Sequence, residues 1–317
     1  MLVPATDEEL DEARRFNNGL RKILRRTPQP NTVAPDETRA LRRAGSGVFP
    51  GVERSPRGED RTVDCDGRSV PVRVFRPDGD ARGALLHVHG GGWTFGAADE
   101  QDQLLEAFAD RLGLAVLSVD YRLAPEHPYP AGADDCETAA RWLWEHAGDE
   151  FGTDRLLVAG ESAGAHLALV TLLRLRHGVG RLERFAGASL VFGCYDLSLT
   201  PSLRRWGDDY LVLNTPVMSW FIDNFCGDIE VDARRNPDLS PLFAELTGLP
   251  RTLLTVGALD PLLDDSTFLA ARLEAAGCDV TLDVYPESPH GFFAFRTALG
   301  RRGLQRMFAF LADSAAG

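Results

Sequence analysis

The feature that most restricts what this chain can become is an alternation. Continuous apolar runs of strand length are separated by stretches of helical spacing. "GALLHVHG" begins at Gly83, "LAVLSVDY" at Leu114, "RLLVAG" at Arg155 and "AGASLVFG" at Ala186. Between them lie "DEQDQLLEAFADRLG", "GADDCETAARWLWEHAG" and "SAGAHLALVTLLRLRHG", read as helices ending at Gly113, Gly148 and Gly178. A strand that is apolar at nearly every position must be covered on both faces, and strands joined by helices run parallel. The pattern therefore predicts a parallel sheet between two helical layers. Two earlier strands, "RTVDC" and "VPVRVFRP", flank the turn "DGRS". After a gap the pattern resumes with "RTLLTVG", the helix "LDDSTFLAARLEAAG", the strand "DVTLDVYP" and a last helix from about Phe292.

The gap runs from Asp196 to Thr247 and is rich in aromatic residues: Trp206, Tyr210, Trp220, Phe221 and Phe225. The first fifty residues read as helices of their own. Leu10, Ala13, Phe16, Leu20, Ile23 and Leu24 recur at helical spacing, and "TPQPNTVAPDE" then breaks the pattern. The expected organisation is an N-terminal helical segment over residues 1–50, a sheet domain over 51–195 and 248–317, and an insertion over 196–247. The 317 residues and 44% hydrophobic content suit one large α/β domain of this kind.

Composition narrows the partners. The chain carries 47 acidic against 34 basic residues, a net charge of −13, which repels nucleic acid and anionic membranes. The basic cluster from Arg14 to Arg43 is interleaved with acids and reads as a solvated helix face. Five scattered cysteines, none spaced C-x-x-C, argue against both a disulfide framework and a cysteine-based zinc site. No stretch reads as a signal peptide or a membrane span. A cytoplasmic protein is expected, with no nucleic-acid or membrane partner.

Chemistry enters at "GESAG", Gly160 to Gly164, directly after the strand "RLLVAG". A strand, G-x-S-x-G and a helix force Ser162 into a tight turn at the carboxyl end of the sheet, where open α/β sheets bind ligands. Taken alone, a strand-to-helix turn with an N-capping serine satisfies the same pattern. A nucleophilic serine needs a base, and on such a sheet the order along the chain is Ser, then Asp or Glu, then His. Of the seven histidines, His146 and His177 sit near helix C-termini, His166 lies buried one turn past Ser162, and His127 precedes Pro128. His87 and His89 lie upstream. His290, in "SPHGFF", follows the serine and sits in a loop after a strand. Asp260 ends the strand "RTLLTVG" and is better placed than Asp264 or Asp265, although it could equally cap the helix after Pro261. "HGGGW", His89 to Trp93, lets backbone N–H groups turn inward toward a developing oxyanion. Gly91, Gly92 and Ala163 are the expected donors. The pair His87 and His89 has no further metal ligands following it, so no metal is expected.

"HGGGW", "GESAG", "DPLLDD" and "HGF", with "DYRLAPEHPYPA" between the first two, occur here in the order seen in one family. The chain from about Val70 onward resembles the hormone-sensitive-lipase-like esterases, a branch of the α/β-hydrolase superfamily. Glu161 departs from the pattern, since family members more often carry Asp or Thr before the serine. The resemblance implies an α/β-hydrolase fold: a mostly parallel eight-stranded sheet, helices on both faces, and a helical cap made by the N-terminal segment and the insertion. It implies a carboxylic ester hydrolase without cofactor, acting through an acyl-enzyme, with Ser162 as nucleophile, His290 as general base and Asp260 orienting the imidazole. Arg122 and Glu126 would brace the loops beneath the pocket. An amidase, lactonase or peptidase would use the same triad, and a non-catalytic receptor of this fold would lack the histidine. The aromatic cap predicts a small-molecule ester of short acyl chain as substrate, in a pocket including Trp93, Trp206, Tyr210 and Phe292. Family members often pair through the edge strand, so a homodimer through "DVTLDVYP" is expected.

Overall fold

A computed structural model describes residues 1–46, 48, 49 and 51–316. Its centre is one eight-stranded sheet in the order β1-β2-β4-β3-β5-β6-β7-β8. The strands are β1 (Glu59–Cys65), β2 (Arg68–Phe75), β3 (Gly83–Val88), β4 (Leu114–Val119), β5 (Leu156–Glu161), β6 (Phe185–Val191), β7 (Thr252–Leu259) and β8 (Val280–Pro289). β2 runs antiparallel to both β1 and β4, and all the other neighbours are parallel. The chain leaves β3 toward β4 on one side and returns to β5 on the other. The reversal opens a crevice at the carboxyl ends of β3 and β5, where Val88 pairs with Gly160.

The helices are α1 (Asp7–Leu24), α2 (Pro35–Arg43), α3 (Asp102–Leu112), α4 (Ala131–Phe151), α5 (Ala163–Val179), α6 (Pro201–Trp206), α7 (Thr215–Cys226), α8 (Leu263–Ala275) and α9 (Ala298–Ala316). Strand alternation explains why the central runs are apolar throughout. Ala84, Leu86 and Val88 of β3 face a core shared with α4, α5 and α8, whereas Leu85 faces a second core shared with α1, α3 and α9. Both faces of the sheet are covered, as the continuous apolar runs require.

Two helix ends differ from the sequence reading for one reason. A glycine stops a helix where it adopts a left-handed conformation. Gly148 and Gly178 stay inside α4 and α5, and the turns come at Gly152 (φ +70°) and Gly180 (φ +82°). α3 does end at Gly113 (φ +67°). The last helix begins at Ala298 instead of near Phe292, because Phe292–Ala294 forms a separate 3₁₀ turn after His290.

The N-terminal segment and the insertion both reach the carboxyl end of the sheet. α1 starts with a capping box between Thr6 and Glu9 and buries Ala13, Leu20 and Leu24. Asn17 donates to the Glu287 carbonyl (2.8 Å), and Arg21 pairs with Asp209 of the insertion (2.9 Å). α2 is fastened by Arg39, which donates to the carbonyls of Thr94 (2.8 Å) and Ala124 (2.9 Å) and to both oxygens of Glu126. Arg122 grips Asp135 of α4 through two nitrogens. Both residues of "YRLAPE" thus brace loops. The outer edge of β8 is in use: Val3 donates to the Val284 carbonyl (2.8 Å), and Val284 donates to that of Met1 (3.0 Å). Leu2 and Val284 form a single parallel bridge there.

Candidate active site

Ser162 is the residue between β5 and α5, with φ +55° and ψ −119°. A non-glycine residue is strained in this region, and the surroundings must impose it. The flanking glycines show how. A Cβ on Gly164 would lie 2.0 Å from the Val88 carbonyl oxygen, and one on Gly160 would lie 2.5 Å from that of Gly164. Real contacts to backbone never come so close, so the turn passes between β3 and α5 only without side chains at these two positions. The Ser162 N–H is fixed to the Val191 carbonyl (2.8 Å).

Two other strand ends converge on the hydroxyl. Ser162 Oγ lies 2.9 Å from His290 Nε2, and His290 Nδ1 lies 2.8 Å from Asp260 Oδ2. An ionised carboxylate can only accept, so Nδ1 carries the proton. That leaves Nε2 bare to accept from the serine hydroxyl. Asp260 and His290 are both buried. The second carboxylate oxygen of Asp260 accepts from the Leu262 N–H (2.9 Å), so the helix-capping role and the histidine contact coexist in one side chain. Asp264 and Asp265 face the insertion. Asp264 accepts from the Ser202 N–H. Asp265 accepts from the N–H groups of Tyr195 and Asp196 and from the Thr200 hydroxyl. Burial pushes the Asp265 carboxyl up to about 7 against those bonds.

The glycine loop lies beside the serine. Gly91 (φ +128°) and Gly92 (φ +61°) both take conformations that favour glycine. A Cβ on Gly91 would strike the Phe95 carbonyl at 2.2 Å, and one on Gly92 would enter the Phe221 ring at 2.3 Å. The N–H groups of Gly91, Gly92 and Ala163 donate to no other described residue. Ala163 opens α5, so its N–H is one of the free donors at a helix start.

The other buried histidines, His87, His89 and His166, have their own partners. His166 accepts from the Trp93 indole (3.1 Å) and donates to the Leu239 carbonyl (2.8 Å). His89 stacks on Tyr121 with ring centres 4.2 Å apart. Burial pushes both imidazoles down to about 4, so they stay neutral. His87 bridges Ser118 (2.9 Å) and Glu161 (3.3 Å) under the turn. Glu161, the departure from the family pattern, is held there by His87 and Gln101.

Of the expected pocket residues, Trp93 lies in the glycine loop and Phe292 just after His290, and both rings are turned inward. Both are 1% exposed. Trp93 stacks on Phe225, and Phe292 packs among Phe192, Tyr285 and Phe293, because each ring buries more area inside the loop clusters than at a mouth. Trp206 and Tyr210 are half-buried in the insertion. Three neighbours were not read as lying at the site: Phe221, read only as one of the insertion's aromatics, over Gly92; Phe192 against the His290 ring (4.7 Å); and Phe49 against Gly291. Each comes from a segment remote in sequence and carries no local motif.

Similarity to known proteins agrees with this geometry. Residues 85–294 match the family described as the α/β hydrolase fold. The carboxylic ester hydrolase LipN of Mycobacterium tuberculosis is 36% identical over 263 residues, covering 80% of this chain and 69% of that protein. The ethyl acetate hydrolase of Pseudomonas putida is 35% identical over 238 residues, 72% of each chain. A hormone-sensitive lipase from a metagenome library superposes with a TM-score of 0.82 at 29% identity, over 96% of this chain and 98% of that one. With the match spanning the glycine loop, the serine turn and both later strand ends, the chain belongs to the α/β-hydrolase family, in its hormone-sensitive-lipase-like branch of carboxylic ester hydrolases.

Proposed function

We propose that this protein hydrolyses short-chain acyl esters through an acyl-enzyme on Ser162. The observation that carries this reading is the continuous relay Asp260–His290–Ser162, with both links under 3 Å and all three groups on strand ends of one sheet. His290 takes the serine proton as Oγ attacks the ester carbonyl. The N–H groups of Gly91, Gly92 and Ala163 receive the oxyanion, and His290 then protonates the departing alcohol. Water, activated by the same imidazole, releases the acid and restores the serine. Asp260 stays ionised and holds the Nδ1–H tautomer.

The short-chain preference rests on the cap. Phe221 presses on Gly92, and Phe95, Trp220 and Phe221 cluster beside the glycine loop, which limits the space next to the attacked carbonyl. The activity named for the ethyl acetate hydrolase relative points the same way. We take residues 1–50 and 196–247 as the cap, and the rest as the catalytic domain. Five free cysteines fit a reducing compartment such as the cytoplasm, and no described helix is long and apolar enough to cross a membrane. A homodimer through β8 would have to form beside or displace Met1–Val3, and the solution mass from sedimentation equilibrium, with and without those residues, tests it. For the activity itself, hydrolysis of 4-nitrophenyl esters of graded acyl length, beside an amide and a lactone, is the deciding assay. The rate is expected to peak at about two to six carbons, since each methylene that fits gains at most about 0.8 kcal/mol and one that clashes loses more. Rates that keep rising to long chains, or amide cleavage faster than ester cleavage, would overturn the reading.

A further inference from the structure

Three arginines of α2 lie within one turn and a half, and they are not alike. Arg39 is fully engaged with Thr94, Ala124 and Glu126, and Arg43 makes a two-pronged pair with Asp99 (3.1 Å each). Arg42 has no hydrogen bond or ion pair to any described residue. Its Nε is cut off from solvent and unpaired. Its guanidinium lies over the rings of Phe49 (5.3 Å) and Phe95 (5.6 Å). Both residues also touch the loops that carry the candidate reacting groups: the Phe49 ring packs against Gly291, next to His290, and the Phe95 carbonyl packs against Gly91. Tyr210 of the insertion and Glu100 are the other groups close enough to act on its charge. Glu100 forms no ion pair with it among the described residues; burial pushes that carboxyl up, while the charges of Arg42 and Arg43 pull it back down.

An arginine keeps its charge even when desolvated, and a buried cation without an anion is costly. Two aromatic faces hold this one flat while its outer nitrogens stay open. A planar fork presented in this way matches a carboxylate. On the reading that Ser162 carries the acyl group, we propose that Arg42 forms an anion subsite for the substrate: the ester taken carries a free carboxylate a few bonds from the scissile carbonyl, as a half-ester of a short dicarboxylic acid does. The chain is acidic as a whole, so such a substrate gains nothing from long-range attraction and depends on this single local cation.

Two matched pairs of esters test this in a pH-stat. Monoethyl succinate is compared with its neutral isostere ethyl 4-methylpentanoate, which places the carboxylate on the acyl side. Acetoxyacetate is compared with isobutyl acetate, which places it on the alcohol side. In at least one pair the ratio of kcat/KM, charged over neutral, should fall roughly 10- to 100-fold in Arg42→Met, with Arg42→Lys recovering part of it, as for loss of a charge-assisted hydrogen bond. The pair that responds identifies the side. An Arg42→Met ratio within about twofold of wild type in both pairs would overturn the subsite while leaving the esterase reading intact, whereas failure of the wild type to cleave any of the four esters would overturn both. Should Arg42→Met not fold, the wild type alone decides: succinate must inhibit hydrolysis of the neutral ester competitively, at least about tenfold more tightly than succinamide does. Equal inhibition by the two removes the proposal.

Discussion

The floor of the candidate site and its proposed cap are built by different means. The floor is backbone: Ser162, Asp260 and His290 stand at the ends of β5, β7 and β8, and their positions follow from parallel pairing, with a register shift between Gly257 and Leu259 that sets Leu259 opposite Pro289. The cap is side chains: Arg39 on two carbonyls, Phe221 on Gly92, His166 on the Leu239 carbonyl, Arg174 on Asp238 (2.7 Å). A floor made by ladder geometry holds a relay to tenths of an ångström. A cap made by aromatic contacts and a few polar ties sets what enters, and changes in it leave the chemistry standing. The two parts should therefore fail differently.

The largest effects belong to the floor. Ser162→Ala should lower kcat by about 10⁴-fold or more, with the melting temperature kept or raised because the alanine removes no packing. Labelling by a serine-directed phosphonate, read by mass spectrometry, should then vanish from the peptide carrying residue 162. Asp260→Asn should cost up to about 10⁴-fold in kcat by favouring the wrong imidazole tautomer. Asp265→Asn is the contrast. Its partners lie in the insertion, so it should alter thermal stability and leave the shape of the pH–rate profile unchanged. A profile that shifts in Asp265→Asn, and not in Asp260→Asn, would reverse the assignment.

Where floor and cap touch, the effect should be intermediate. Gly92→Ala puts a methyl group into the Phe221 ring and strains a φ of +61°, so the proposed donor must move. A loss of about 10²-fold in kcat is expected, in the range for one missing oxyanion donor. Phe221→Ala removes the ring and should cost about 3 to 5 kcal/mol of stability, with acyl-chain preference shifted to longer esters and kcat for short ones changed far less. If Phe221→Ala instead abolished turnover of every ester, the division between floor and cap would not stand.

The smallest effect is a dependence on pH. His166 ties Trp93 of the glycine loop to Leu239 of the insertion, and burial holds its pKa near 4, below the ordinary imidazole value of 6.5. A group with a lowered folded pKa contributes stability that is present above the unfolded value and lost as pH falls through the folded one. Stability should thus decline between about pH 6.5 and pH 4, by an amount on the order of 1 to 3 kcal/mol for this group. Thermal melts of wild type and His166→Gln across that interval check it: the wild type should lose more on acidification. Parallel slopes would show that the imidazole does not titrate with unfolding. His89, also held near 4, adds to the decline and is common to both proteins.

Most of the floor was legible because its signals are local. Apolar runs, the G-x-S-x-G turn and the loop glycines each report on a few adjacent residues, and chain order on a parallel sheet then assigns the acid and the base. "DPLLDD" offered three carboxylates, and local spacing favoured Asp260 for its place at a strand end. The fold separates the three by aiming Asp264 and Asp265 at the insertion. The cap was legible only as a region. Its aromatic content marked it, but Trp93 and Phe292 are packed inward, and Phe49, Phe192 and Phe221 reach the site from remote segments. Arg42 read as one more basic residue on a solvated helix face, and nothing in its local sequence separates it from Arg39 and Arg43. What the chain by itself determined is therefore the order and type of its elements and the candidates for the reacting groups, since periodicity, glycine geometry and acid–base chemistry act over short spans. Only the tertiary structure decided which rings lie over the candidate site and which charge lacks a partner among the described residues, because packing and desolvation depend on neighbours that the chain brings together from far apart.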